Sequence, residues 1–227
     1  MYRSILSIWV VMILSIAAYS QDSSSNKKNS LVAGAWAMQF QIDGFINLRY
    51  FQGTTISIKK HMTNKSAVRL GIGISLNISA EDYQMIKYQE DNEFNYQSRD
   101  YYSNRLNINS QYLYYLIGET DVNLFLGVGP QLNYSWDQNE YDRDTLWQSD
   151  KYHSIGFGVI GIAGVEWFAK KSISFHAEYS TSVEYRWSES IGKQISINPS
   201  RTRDTKSKNN YFTFYPNSVR FGMSVYF

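Results

Sequence analysis

The sequence predicts an all-β protein, an eight-stranded antiparallel up-and-down transmembrane β-barrel. Its last nine residues, Val219 to Phe227, alternate apolar and polar side chains with a period of two, as a strand with one buried face does. The chain holds 19 Tyr, 12 Phe and 6 Trp beside only 3 Pro, a composition that favours strands. After residue 20 no apolar run reaches the length of a transmembrane helix, so strands are predicted to cross the membrane.

The start of the chain has the parts of a secretory signal peptide. A basic start precedes an apolar run from Ile5 to Ala18, and Ala18 and Ser20 are the small residues of a cleavage site before Gln21. The apolar run is shorter than the roughly 20 residues that span a bilayer, which disfavours the alternative of an N-terminal anchor helix. We predict a signal peptide over 1–20, a disordered periplasmic leader over 21–30 and the barrel domain over 31–227.

Four alternating segments fill the first half of the barrel domain. The first (33–45) alternates Trp, Met, Phe and Ile with Ala and Gln, and the second (54–62) alternates Ile with Ser, Lys and His. The third (67–79) has the most regular alternation, with six Val, Leu or Ile residues opposite Arg, Gly, Ser and Asn. The fourth (105–117) sets Leu, Ile and Tyr against Asn and Gln. Each is predicted to be a strand with one apolar face.

Four more segments follow the same rule. The fifth (122–136) alternates Val, Leu, Tyr and Trp with Gly, Asn and Gln, and its Pro130 predicts a bulge or a missing ladder bond because proline has no N–H. The sixth (152–168) is rich in glycine, and the seventh (173–187) places aromatic residues opposite His, Glu and Arg. The eighth is the C-terminal segment (219–227).

The connections alternate in length. Short polar turns, 63–66, 118–121 and 169–172, follow segments two, four and six, and long polar stretches, 80–104, 137–151 and 188–214, follow segments three, five and seven. Short periplasmic turns and long outer loops are typical of outer-membrane barrels. The stretch 80–104 has a net charge of −4 and 191–210 one of +4. One interpretation is a solvated rim whose opposite charges pair across the mouth. The alternative is that loops 80–104 and 190–210 meet an extracellular partner, the basic loop binding lipopolysaccharide phosphates or an acidic partner.

Charge decides which face meets lipid. If the apolar positions pointed inward, Arg69, Glu166 and Arg220 would face hydrocarbon, where each Arg costs roughly 2–4 kcal/mol at the midplane. The apolar face is therefore predicted to point outward. A soluble lipocalin-like barrel is the competing fold, because Gly34-Ala35-Trp36 resembles that family's early G-x-W motif, but a lipocalin would need the apolar face inside.

The whole mature chain resembles the small eight-stranded outer-membrane barrels of the OmpX and OmpA-transmembrane-domain type. The resemblance rests on the signal peptide, the strand rhythm and the C-terminal ending. It implies an outer-membrane location and insertion by the barrel-assembly machinery, which would read the terminal residues Phe221, Met223, Val225, Tyr226 and Phe227. It implies no single activity, since relatives serve as adhesins, tethers, narrow pores and lipid-modifying enzymes.

A charge network is predicted to close the lumen. Alternation points eight ionisable side chains inward: Arg69, Arg105, Glu166, His176, Glu178, Glu184, Arg186 and Arg220. Counting from the periplasmic turns puts Arg69 and Glu166 about three residues up and Glu178 and Arg220 about six or seven up. These four are expected to occupy neighbouring levels and to pair.

Enzymatic, metal and nucleic-acid roles have little support in the sequence. The three His, at 61, 153 and 176, share no ligand spacing. His153 lies beside Ser154 at a predicted loop edge, but adjacent strand residues point to opposite faces, so the pair is a weak catalytic candidate. Cysteine is absent and the formal net charge is only +2. We predict no cofactor, a monomer in outer-membrane lipid, and a closed structural or surface-interaction barrel. A narrow passive pore is the alternative, and a lipid-modifying enzyme is a remote one.

Overall fold

The chain forms a closed barrel of eight antiparallel strands. A computed structural model describes residues 29–43, 54–86, 94–116, 120–143, 146–196 and 200–227. Each strand pairs with its neighbour in the chain, and β1 closes the barrel against β8. The strands are β1 (Trp36–Asp43), β2 (Thr54–Thr63), β3 (Ser66–Ile86), β4 (Phe94–Tyr115), β5 (Val122–Arg143), β6 (Leu146–Lys170), β7 (Ile173–Ser196) and β8 (Arg201–Tyr226). The predicted fold class is confirmed.

Several predicted segments fall outside this description. The signal peptide, residues 21–28 of the leader and the connection between the first two segments (44–53) are not among the described residues. Within the described ranges, no helix has the length and apolarity needed to cross a membrane.

The apolar positions point outward and the polar positions inward. On β3, Leu76 is 67 % exposed whereas Arg69 is 1 % exposed. The same contrast holds around the barrel, because outward Val, Leu, Ile and aromatic side chains alternate with inward Ser, Asn, Gln, Gly and charged ones. The lipocalin-like arrangement is therefore excluded by the orientation of the strands, and the predicted orientation is confirmed.

The strands continue far beyond the predicted segments. Strands β3 to β8 are 21 to 26 residues long, about twice the 9–11 residues that cross a bilayer. The three stretches predicted as loops, 80–104, 137–151 and 188–214, are mostly paired strand. The prediction was wrong because a ladder of backbone bonds needs no apolar face: where both faces meet water, the alternation stops while the pairing goes on.

Two irregularities mark the ladders. Between β4 and β5 the register passes directly from Asn109↔Gln131 to Tyr112↔Val128. The ladder is therefore interrupted at Pro130, where a bulge or a missing bond was predicted. Between β7 and β8 the register shifts at Tyr179, opposite the stretch that contains Pro216. Both sites agree with the rule that proline cannot donate to a ladder.

Candidate functional site

The barrel interior is filled by side chains that form three charged layers. We call the end with the three short turns the turn end and the other the hairpin end. The layer nearest the turn end is centred on Glu166, whose carboxylate accepts bonds from Lys59 Nζ (2.9 and 3.0 Å), Tyr115 OH (2.7 Å), Ser174 Oγ (2.5 Å) and Tyr226 OH (2.8 Å). Lys59 also lies 4.9 Å from the centre of the Tyr226 ring. This lower layer has no exposed charge, since the Lys59 and Glu166 side chains are 0 % and 1 % exposed.

The middle layer is an Arg–Glu pair. Arg69 Nη1 and Nη2 donate to the two carboxylate oxygens of Glu178 at 2.8 and 3.1 Å. The third guanidinium nitrogen, Nε, donates to Gln111 Oε1 at 2.6 Å. This bidentate geometry is the strongest arrangement for an Arg–carboxylate pair, and it holds both side chains across the lumen.

The upper layer combines one charge pair with amides. Glu184 accepts bonds from Arg186 Nε at 2.9 Å and from Asn133 Nδ2 at 2.5 Å. Asn133 Oδ1 in turn accepts a bond from Asn107 Nδ2 at 2.6 Å, and Asn107 Oδ1 one from Asn109 at 2.7 Å. The chain of bonds links β4, β5 and β7 across the lumen, as a buried polar network must if it is to be stable.

A segment before β1 caps the turn end. Asn29 Nδ2 donates to Thr120 O (2.9 Å), Ser30 Oγ to Lys171 O (2.5 Å), and the Ala33 N–H to Asn64 Oδ1 (3.1 Å). These acceptors belong to the three short turns, so the segment crosses the mouth. Leu31, 1 % exposed, enters an apolar cluster that includes Leu113, Phe125, Ile162 and Phe168. Asn29 and Ser30 are the last two residues of the predicted leader.

We expect Leu31→Ala to destabilise this cap. Removing a fully buried Leu side chain costs about 2–5 kcal/mol when the site does not collapse. Because Leu31 belongs to a terminal segment, the loss is expected to appear as faster amide exchange over 29–35 and faster protease cleavage there. Val32→Ala, at a less buried neighbouring position, is the control, and equal exchange in the two variants would contradict the role of Leu31 as the anchor.

The lumen opens into a vestibule towards the hairpin end. This cavity has a volume of about 520 Å³. Its walls carry amides and hydroxyls together with the ionisable residues Arg105, Asp137, Glu184, Arg186 and Arg220. The vestibule therefore reaches down to the upper layer, whose Glu184 and Arg186 form part of its wall, and lies on the hairpin side of the middle and lower layers.

Apart from Glu166, the predicted network residues divide into three groups. Arg69 meets Glu178, and Glu184 meets Arg186, at 2.8 Å each. His176 Nδ1 lies 3.3 Å from Ser224 Oγ, whereas Arg105 and Arg220 line the vestibule. The backbone of Arg220 is registered with Glu178 on the neighbouring strand.

The partner of Glu166 is Lys59, a residue outside the predicted set. Lys59 alternates with Ile56 and Ile58, so the strand pattern already placed it on the lumen face. The sequence did not identify Glu166 as the partner of Lys59, because the two residues are 107 positions apart and lie on strands that are not neighbours. Arg69 and Glu166, which were expected at one level, occupy different layers.

The residues of the predicted assembly signal end β8 at the turn end. Phe221 and Phe227 are exposed on the outer face, and Tyr226 is buried in the lower layer. Val225 is also buried and packs against Phe40 and Met223. Recognition of these terminal residues by the barrel-assembly machinery stays a prediction.

The three histidines are dispersed. His61 and His176 are buried in the lumen, as alternation predicted, and His153 lies on the outer face 3.5 Å from Tyr134 OH. Among the residues that the structure describes, no group of three His, Cys, Asp or Glu side chains is placed to hold a metal ion.

Comparison with known proteins gives matches in structure only. No protein-family model matches the chain, and no curated protein matches its sequence. The chain is similar to a major outer membrane protein from Thermus thermophilus (TM-score 0.47, 10% identity, covering 86% of this chain and 100% of that one). It is also similar to the outer membrane protein OprG from Pseudomonas aeruginosa (0.44, 12%, 86% and 97%) and to the N-terminal β-barrel domain of OprF from the same organism (0.38, 11%, 86% and 98%). These structures are outer-membrane proteins, the type that the sequence was predicted to resemble.

Proposed function

We propose that this chain is an outer-membrane barrel that is closed to solutes and acts through its outer surface and long hairpins. The outward band of Val, Leu, Ile and aromatic side chains supports a bilayer position. The turn end, which holds the C-terminus, is placed in the periplasm and the hairpin end outside. No catalytic role is included in the proposal.

The lower layer carries the proposal of a closed lumen. An ion that followed the barrel axis would have to displace Lys59 and Glu166 together with the Tyr115 and Tyr226 rings, which are all at most 1 % exposed. The ion would then meet the apolar cluster around Leu31. An eight-stranded barrel is just wide enough for side chains to fill, and here large side chains fill it.

A narrow passive pore is the second candidate. The vestibule supports it, because a polar cavity of about 520 Å³ approaches the barrel middle from the hairpin end. The pore would need the middle and lower layers to part. In this candidate the Arg69–Glu178 pair would be the gate that opens first.

Conductance of the refolded protein in a planar bilayer tests the two candidates. We expect no discrete steps from the wild-type barrel, and none from Arg69→Ala/Glu178→Ala, because the lower layer still closes the lumen in that variant. Folding of each sample is checked by the heat-dependent gel shift of folded barrels. Steady steps from the wild-type protein would overturn the closed barrel, and steps from the double variant alone would make the middle layer the seal.

A further inference from the structure

A groove lies on the outer face of the barrel where the apolar band ends. It has a volume of about 420 Å³ and is bounded by residues of β5, β6, β7 and β8. Its residues follow the strand register: one row is Tyr134, Ile155, Trp187 and Asn210, and the next row towards the hairpin end is Trp136, His153, Glu189 and Lys208. The row above that is Gln138, Lys151, Ile191 and Lys206.

The three rows change from apolar to basic. Tyr134, Ile155 and Trp187 expose about half of their side chains on the outer face. Beyond them, Lys151, Lys206 and Lys208 are exposed. The groove thus has an apolar wall on one side and ammonium groups on the other.

Glu189 is the one acid in these rows, and it does not cancel the basic charge. Lys206 Nζ lies 2.5 Å from the carboxylate of Glu189, and the hydrogen bond from Lys206 lowers the pKa of Glu189. The carboxylate is therefore ionised at neutral pH and neutralises one ammonium group. Three lysines and one glutamate leave the two upper rows with a net charge of +2.

The groove lies at the height expected for lipid headgroups. On β7 the outward face carries no charge from Phe175 to Trp187, and Glu189 is its first charged residue. Those 12 steps, at about 3.3 Å per residue and the usual barrel tilt of about 40°, correspond to about 30 Å, the thickness of a hydrocarbon core. On β6 the band ends at Ile155, and His153 and Lys151 follow.

We propose that this groove binds the phosphate-bearing headgroup of a lipid in the leaflet at the hairpin end. The inference rests on the bilayer position in the proposed function. The acyl chain of this lipid extends towards the turn end and packs against Ile155, Tyr134 and Trp187. The phosphate lies among the ammonium groups of Lys208, Lys206 and Lys151, which are point-charge donors suited to phosphate oxygens.

Aromatic residues support this orientation. The Trp136 and His153 rings stack at a centroid distance of 6.2 Å and an interplanar angle of 19°. With Trp187 they form part of an aromatic girdle, and Trp and Tyr prefer the level of the headgroups because one end of the ring is apolar and the other polar. A headgroup held between this girdle and the lysines is anchored at both its glycerol and its phosphate ends.

Lipid binding to the refolded barrel in a neutral detergent tests the proposal by native mass spectrometry. The probes are dihexanoyl phosphatidic acid, dihexanoyl phosphatidylcholine and inorganic phosphate. We expect the wild-type protein to bind phosphatidic acid most tightly and this binding to weaken with added salt. Lys151→Gln/Lys206→Gln/Lys208→Gln is expected to weaken it about tenfold or more, the effect of losing about one charge-assisted contact.

A matched variant at the opposite end serves as control. Lys60→Gln/Lys65→Gln/Lys170→Gln removes the same charge from exposed lysines near the turn end and is expected to bind like the wild type. Equal binding of phosphatidylcholine, or an equal loss in both triple variants, would overturn the headgroup site. Inorganic phosphate bound as tightly as phosphatidic acid would overturn the lipid as its source. Conductance measured on the same samples reports the closed lumen separately.

Discussion

Glu166→Ala is expected to lower the free energy of unfolding by about 3–5 kcal/mol, because it leaves the Lys59 ammonium group buried without its counter-ion. Tyr115, Ser174 and Tyr226 lose their common acceptor in the same substitution. Urea unfolding in detergent micelles, followed by tryptophan fluorescence and by the heat-dependent gel shift, measures the loss. Glu178→Ala leaves the buried guanidinium of Arg69 without its counter-ion and is expected to cause a loss of similar size.

Two further variants separate the buried charge from other causes. Lys59→Met/Glu166→Ala removes the stranded ammonium group and is expected to be more stable than Glu166→Ala alone. Glu189→Ala breaks an ion pair that is exposed at the barrel surface and is expected to leave stability unchanged. The single variant Lys59→Met completes the double-mutant cycle. If the double variant lost as much stability as Lys59→Met and Glu166→Ala lose together, Lys59 and Glu166 would not be coupled.

The strands and their orientation were predictable from the sequence. The alternation from Val68 to Ile78 identifies a strand, and Arg69 among those apolar residues decides which face meets lipid. These are local signals, since one strand contains all the residues needed. The same signals predicted that Glu178, Glu184 and Arg186 face the lumen, where the structure has them.

Three features were not predictable by that reasoning. The pairing of Lys59 with Glu166 depends on barrel closure and shear, which put β2 opposite β6. The cap formed by Asn29 and Leu31 lies where the polar leader meets a short apolar stretch, and neither has a periodicity; its bonds reach the turns at Thr120 and Lys171. The long hairpins lack an apolar face, so only the backbone pairing defines them.

The charged lumen and the apolar exterior are two consequences of one arrangement. Gly71 leaves room on the lumen side for the amide of Asn109, which a Cβ atom at that position would approach to 2.8 Å. Large residues on the outer side of the same strands meet lipid. Stability then depends on completing every charge pair inside, which is why a single truncation there is expected to cost more than several on the hairpins.

Gly129→Ala is expected to prevent correct folding of the barrel. A Cβ atom at Gly129 would come close to backbone atoms of β4, 1.8 Å from Ser110 O and 2.8 Å from Gln111 Cα. Backbone atoms cannot rotate away as a side chain can, so β4 and β5 would have to separate by about 1 Å or more beside Pro130, where the ladder is already interrupted. Overpacking typically costs about 1–3 kcal/mol and occasionally more, and we expect a cost at the upper end here because the clash is with backbone and every strand is paired on both sides.

The refolding yield, read from the heat-dependent gel shift, measures this effect. Gly161→Ala is the matched control on the neighbouring strand β6, because its Cβ would meet only Thr181 Cγ2 at 3.9 Å, an ordinary van der Waals contact. We expect the control to refold like the wild type and Gly129→Ala to yield little folded protein. A Gly129→Ala barrel with the yield and urea midpoint of the wild type would mean that β4 and β5 are farther apart at Ser110 than the structure has them.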